Sequence, residues 1–335
     1  MQGLASYIIR RLAWAPVILL VVSLATFALG RFGPGDPIQI LQGQYRDPEV
    51  RERIAEERGY NDNFFVQYWR YVEAFAKGDM GTSLTYRGLP VKDVIFPRLW
   101  VTIQYNFVAL ALIFGIGIPA GIWAALRQGT WMDPFTISFF LFFASVPVLV
   151  SIPILQWLFA LEHDWWPFGI RGGWLSAGGW EVREFFGVEI GVLNKRAILP
   201  VIVLTLPGVA GVARYMRAQV LEVLDQDFVR TARAKGLAEF TVVSRHIARN
   251  ALLPLATIMG FALVSLLSGS IFLETLLGIP GIGSYAFEAV FNRDYDSIMA
   301  IVLMVSAAFI AANLVVDITY AFIDPRIRLG GGVGR

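Results

Sequence analysis

The chain has 335 residues, of which 56% are hydrophobic and only 16% charged, with a mean hydropathy of +0.59; it is too apolar for a soluble globular domain of this length, so the membrane class comes first. Its 28 basic and 26 acidic residues leave a net charge of +2, which gives no reason to expect a polyanionic partner. The absence of cysteine excludes disulfides, thiolate nucleophiles and Cys-ligated metals, and the two histidines, His163 and His246, are too few and too far apart for a metal cluster.

In chain order, the first element is an uncharged run from Leu12 to Gly30 behind Arg10-Arg11. Basic-then-apolar is also how a secretory signal begins, and Ala28-Leu29-Gly30 is a weak small-x-small cleavage site, but the run is longer than the ~7–15 residues of a signal core. It reads as a retained first span. Five further stretches approach or exceed the ~20 apolar residues that a ~30 Å hydrocarbon core requires. They are 99–126, 134–161, 197–213 (continuing past Arg214 and Arg217 as the helix leaves the membrane), 250–273 and 297–323, the last containing Asp317.

Between the first two spans, residues 31–98 carry ten basic and ten acidic residues with several aromatics, the composition of a small folded unit outside the bilayer and not of a disordered linker. Lys and Arg set the orientation. A cytoplasmic N-terminus puts thirteen of them on the inner side (1–11, 127–133, 214–249, 324–335) against six acids, while the outer loop 274–296 has only Arg293 against Glu274, Glu288, Asp294 and Asp296. The expected architecture is an all-α membrane protein of six transmembrane helices with both termini cytoplasmic. An extracytoplasmic segment 31–98 follows the first helix (1–30), a five-helix core spans 99–323 with a cytoplasmic loop at 214–249, and 324–335 forms the tail. Trp100, Trp123, Trp131, Trp157, Trp165 and Trp166 fall near span ends, as an interfacial belt requires.

Within the spans, Ser145, Pro147, Ser151 and Gln156 of the third are candidates for lining a pathway, and equally for bonding neighbouring helices. The glycines and prolines of the second, third and fifth spans (Gly115, Gly117, Pro119, Pro147, Pro153, Gly260, Gly269) are breakers that can kink a helix, as a pathway opening alternately to the two sides would use, and most of them are expected to serve as packing devices. Glu274, at the outer end of the fifth span, reads as a cap or loop anchor. Asp317, in the inner half of the sixth, reads as one partner of an ion pair, with Arg326 and Arg328 just beyond.

The loop 214–249 holds Asp225-Gln226-Asp227-Phe228-Val229-Arg230-Thr231-Ala232-Arg233-Ala234-Lys235-Gly236-Leu237. Asp225 or Asp227 would cap a helix of two to three turns that stops at Gly236, with Arg233 and Lys235 near its negative end. Phe228, Thr231, Ala232 and Lys235 would share one face. By spacing alone, a solvated basic loop that enforces topology fits as well.

These residues resemble the coupling loop of ABC importer permeases, in which Glu-Ala-Ala, three residues, Gly, nine residues and Ile-x-Leu-Pro follow one another. Arg230-Thr231-Ala232 fills the first slot, Gly236 the glycine slot and His246-Ile247-Ala248-Arg249 the last, with the proline displaced to Pro254. The departures are similar to the peptide-permease branch, whose pattern is met by Arg230 to Leu237 and by Arg249-Asn250-Ala251-Leu252-Leu253-Pro254. The resemblance extends to Arg10-Arg11-Leu12, Gly33-Pro34-Gly35-Asp36-Pro37, Gly78-Asp79-Met80-Gly81-Thr82-Ser83, Gly278-Ile279-Pro280-Gly281-Ile282-Gly283, Asn292-Arg293-Asp294-Tyr295 and Asp324-Pro325-Arg326-Ile327-Arg328.

The resemblance implies a pore subunit of an ATP-driven importer of di- or oligopeptides in the cytoplasmic membrane of a prokaryote, working by alternating access. Phe228, Arg230, Thr231, Ala232, Arg233, Ala234, Lys235, Gly236 and Leu237 would form the helix that docks on a cytoplasmic ATPase. The implied partners are a second permease, two ATPase subunits, an extracytoplasmic solute-binding protein and membrane lipid, with no nucleic acid. The chain itself would be no enzyme, with no cofactor, metal or catalytic residue, and ATP would be bound and hydrolysed by the ATPases. In accord with that division, no Gly-x-x-x-x-Gly-Lys-Ser/Thr phosphate loop occurs. Related permeases serve dipeptides, longer peptides, glutathione, nickel complexes and some sugars. The competing class, an ion-coupled secondary transporter using Asp317 and Glu274, would show two similar halves, and no internal symmetry is evident. An intramembrane enzyme would need a site such as His-Glu-x-x-His, which does not occur.

Overall fold

Hydrocarbon offers no partner to backbone N–H and C=O groups, so apolar runs that cross it close their hydrogen bonds internally as helices. A computed structural model of the chain describes residues 2–32, 48–57, 59, 61–86, 88–161, 175–185 and 187–323. In it α1 covers Gln2–Phe32, α2 Pro48–Glu57, α3 Phe64–Ala76 and α4 Val91–Leu126. Next come α5 (Met132–Ser145), α6 (Val148–Phe159), a hairpin of β1 (Arg183–Phe185) and β2 (Val188–Ile190), and α7 (Ile198–Leu224). The remainder is α8 (Asp227–Ala234), α9 (Glu239–Ala251) with a π-helical stretch over Val242–Ala248, α10 (Leu253–Ser268), α11 (Ile271–Leu277), α12 (Ile282–Phe291) and α13 (Tyr295–Ile323).

Among the described residues four helices are long and apolar enough to cross a membrane, within α1, α4, α7 and α13, and the number rises to six if α5–α6 and α9–α10 each count as one bent span. The expected third span, 134–161, is therefore not one straight helix: α5 and α6 meet at 99°. Pro147 has no N–H to continue the ladder and biases the residue before it toward extended backbone, and Val146 sits at φ −87°, ψ 118°. Here the proline is a break and not a packing device. The fifth span also stops short of the expected 273, because Gly269 at φ +67° turns the chain out of α10 before α11 begins. The second span begins at Val91, eight residues before the expected 99, since Asp93 and Lys92 continue its helix beyond the apolar run. The β1–β2 hairpin is the exception to the all-α expectation.

Within 31–98, α3 is folded against the second half of α1. The Tyr68 hydroxyl donates to the Leu20 carbonyl at 2.9 Å, and Phe27 packs on Phe64, Tyr68 and Tyr71. Close approach of α4 and α7 rests on small residues: a Cβ at Gly121 would lie 2.5 Å from the Ala213 carbonyl oxygen and 2.7 Å from the Met216 Cβ. The expectation of a packing role holds at Gly117, which faces Val212 in the same seam.

Candidate functional site

The short helix α8 is placed by its ends and by two small side chains. Gln226, in extended conformation, occupies the N-cap with no side-chain hydrogen bond, so neither Asp225 nor Asp227 caps the helix as expected. Asp227 instead lies in the first turn, where a negative charge suits the helix dipole. At the other end Gly236 adopts φ +72°, its N–H donating to the Arg233 carbonyl at 2.9 Å. A Cβ there would meet nothing within 4 Å, so the left-handed backbone and not crowding calls for glycine.

Val229 and Ala232 face inward and are buried. They join Val212, Met216 and Val220 of α7, Val242, Ile247 and Ala251 of α9, Leu255 of α10 and Ala125 of α4 in one apolar cluster. The face expected from spacing therefore splits: Ala232 belongs to the packed side, while Phe228, Thr231 and Lys235 remain exposed. Arg230, Arg233, Ala234, Gly236 and Leu237 are exposed as well. The same stretch that exposes the cations Arg230 and Lys235 also exposes the apolar Phe228 (42%), Leu237 (40%) and Phe240 (82%). Phe240 has no part in the expectation from sequence, since a phenylalanine four residues past Gly236 carries no mark there of its exposure.

Arg233 is committed within the chain. Its guanidinium grips Glu239 at the start of α9 (Nη2 to Oε1 2.7 Å, Nε to Oε2 3.3 Å), and that hydrogen bonding holds the arginine's pKa above its ordinary value. Arg230 makes a 3.7 Å contact with Asp227 on the exposed surface. Nearby, Arg217 of α7 holds buried Asp133 in the first turn of α5 through two bonds of 2.5 and 2.6 Å. The apolar cluster groups α8 with α4, α7, α9 and α10, the Arg233–Glu239 fork ties α8 to α9, and the Arg217–Asp133 fork ties α7 to α5.

At the other end of the bundle two carboxylates are wholly buried. Glu274 Oε1 accepts from Thr102 Oγ1 (2.9 Å) and the Tyr105 hydroxyl (2.5 Å), and Oε2 accepts from the Ser284 amide (2.8 Å). A Cβ on Gly281 would overlap this carboxyl. The arrangement is that of the expected loop anchor. Asp294 Oδ2 accepts from Ser83 Oγ (2.7 Å) and the Thr85 amide (2.9 Å), while Tyr285 donates to Ser83 Oγ (3.1 Å). Arg98 lies over the Tyr86 and Tyr285 rings at 4.9 and 5.0 Å, and burial pushes the Tyr86 hydroxyl above the usual phenol range. The stretches 78–83 and 292–295, far apart in sequence, thus meet, and Tyr285, two residues past 278–283, joins them.

The pathway candidates are not drawn into one site. Pro147 starts α6 at the bend; Ser145 and Ser151 turn their hydroxyls onto the Phe142 and Val148 carbonyls of their own helices (2.7 and 3.1 Å). Gln156 donates to the Ala177 carbonyl. The Asp317 side chain and its expected partners Arg326 and Arg328 lie outside the described residues. Among the described residues, no group of three His, Asp or Glu side chains could hold a metal ion.

Residues 117–329 match the family described as binding-protein-dependent transport system inner membrane component, and residues 4–96 match the N-terminal region of such membrane components. The chain is 36% identical over 333 residues to a dipeptide transport system permease protein of Alkalihalophilus pseudofirmus, covering 96% of this chain and 99% of that one. It is equally 36% identical, over 322 residues with 96% and 99% coverage, to an oligopeptide transport system permease protein of Haemophilus influenzae. Among solved structures it shares a fold with the MetNI methionine ABC transporter in an inward-facing conformation, with a TM-score of 0.50 at 16% identity over 69% of this chain and 96% of that one.

Proposed function

The chain belongs to the family of binding-protein-dependent transport system inner membrane components, and from that premise we propose that it is a pore-forming subunit of an ATP-driven importer of di- or oligopeptides in a prokaryotic cytoplasmic membrane. The relatives' names support the peptide cargo. ATP hydrolysis belongs to partner ATPases, on which α8 docks with Phe228, Arg230, Lys235, Leu237 and Phe240. The observation that carries the coupling role is the seating of α8 through Val229 and Ala232 on α7 and α9. A push on the exposed side of α8 is thereby delivered to the helices that share its apolar cluster, α4, α7, α9 and α10, because close-packed side chains transmit displacement.

In this reading Arg233 and Ala232 position the coupling helix and do not touch the ATPase. A second permease completes the pathway, segment 31–98 receives the solute-binding protein outside, and the α5–α6 bend supplies the irregular backbone that lines a route of alternating access. Glu274, one of the two acids that an ion-coupled mechanism would use, is held instead as a loop anchor by Thr102, Tyr105 and the Ser284 amide. The test uses the natural absence of cysteine. A single cysteine at Lys235 is expected to crosslink to the ATPase in the assembled complex and to change its crosslinking yield with nucleotide. A transport-competent complex with no such crosslink sinks the docking assignment.

A further inference from the structure

A groove between α1 and α13 has no role in the mechanism above. It is a cavity of about 440 Å³ walled by Leu12, Trp14, Ala15 and Ile18 of α1 and by Phe309, Ile310 and Leu314 of α13, with Asn313 and Arg10 as its polar groups. That volume lies within the ~300–1,000 Å³ of small-molecule sites. Trp14 is 59% exposed, Ile18 47% and Phe309 49%. Among the described residues Arg10 is exposed, with neither an ion pair nor a hydrogen bond to satisfy it.

The depth of these groups is set by helix geometry. From Phe32 to Arg10 is 22 residues of α1, about 33 Å, and from Tyr295 to Asn313 is 18 residues of α13, about 27 Å. Both polar groups therefore fall at one boundary of a ~30 Å hydrocarbon layer, on the side that carries α8. From Arg10 to Ile18 the wall runs about 12 Å toward the bilayer centre, most of the ~15 Å depth of a single leaflet. The groove thus has a cation at the headgroup level and apolar walls along the acyl chains.

We propose that this groove binds an anionic phospholipid of the inner leaflet, its phosphate on Arg10 and one acyl chain between Trp14, Ile18 and Phe309. Charge decides the occupant's class: an exposed guanidinium at the surface of a negatively charged leaflet attracts acidic headgroups, where a zwitterionic lipid offers no net charge. Bound there, the lipid bridges α1 and α13 and sets how freely the first helix moves against the last.

The test compares the purified complex with its Arg10→Gln and Ala15→Phe variants, the second designed to fill the groove without touching the charge. Each is exchanged into nanodiscs of phosphatidylcholine containing a minority of phosphatidylglycerol, and retained lipid is read by native mass spectrometry. Wild type is expected to retain phosphatidylglycerol about five-fold better than Arg10→Gln, from the worth of one basic residue at an anionic surface. Ala15→Phe is expected to lose it with Arg10 intact. Equal retention in all three proteins overturns the proposal. So does crosslinking of a cysteine at Ile18 to the second permease in place of a photoreactive phosphatidylglycerol, which would make the groove a subunit seam.

Discussion

The two ends of the bundle are held by opposite means. Around α8 the seam is apolar and shape-based, with Val229 and Ala232 set among valines, Met216, Ile247 and Leu255, and the charged forks Arg217–Asp133 and Arg233–Glu239 lie at its margin. At the other end the seam is directional: Glu274 and Asp294 are wholly buried and tied by hydrogen bonds to α4, α12 and the 83–85 turn. Apolar packing tolerates small sliding because no single contact is worth much, whereas a buried carboxylate is satisfied in one geometry and costly in any other. The comparison teaches where rigid-body motion is tolerated: at the driven end, with the opposite end moving as a unit or changing in discrete steps.

The largest expected effect tests the directional end. Glu274→Ala strands Tyr105, Thr102 and the Ser284 amide in a dry site and should cost about 3–5 kcal/mol of stability, read by thermal denaturation of the purified complex. Glu274→Gln keeps one acceptor oxygen and should cost distinctly less. A loss below about 1 kcal/mol for the alanine variant would erase the contrast between the ends.

Ala232→Leu probes the apolar seam. Extra bulk in the buried cluster around Ala232 should cost about 1–3 kcal/mol and lower uptake while ATPase binding persists, because α8 is lifted off its bed. If uptake is unchanged, the seat of α8 does not transmit the stroke. Smaller still, Gly236→Ala forces an L-residue into the left-handed region and should cost about 1–2 kcal/mol, with Gly236→Asn milder. Since a Cβ there meets nothing, an equal penalty for both variants would point to a steric clash with the docked partner instead. The smallest effect is expected for Arg230→Gln, whose ion pair is exposed. Stability should move by less than about 0.5 kcal/mol, while peptide uptake falls if the guanidinium meets the ATPase.

Much of this was legible in the chain. Apolar length located the four long helices and the two bent pairs, Gly236 located the end of α8, and Pro147, one of the residues able to break a helix, marked the place where α5 and α6 part. The face of α8 was misjudged because helical spacing says which residues align, not which side meets the bundle. Val229, one position from Phe228, tipped the helix round. The β1–β2 hairpin went unseen: its strands are three residues each, and Gln104 helps hold it to α4 by accepting from the Gly191 amide at 2.7 Å, a contact across 87 residues.

By itself the sequence determined that the chain resides in a membrane and roughly how many times it can cross. Hydrophobic length and charge placement are local properties, summed residue by residue. Only the tertiary structure decided that Glu274 faces Tyr105, that Asp294 closes on Ser83, that Arg217 takes Asp133, and that Ala232 is seated and Phe240 presented. Each of these joins groups on different elements, and a pairing across 84 to 211 residues leaves no periodicity for a reader of one chain to find.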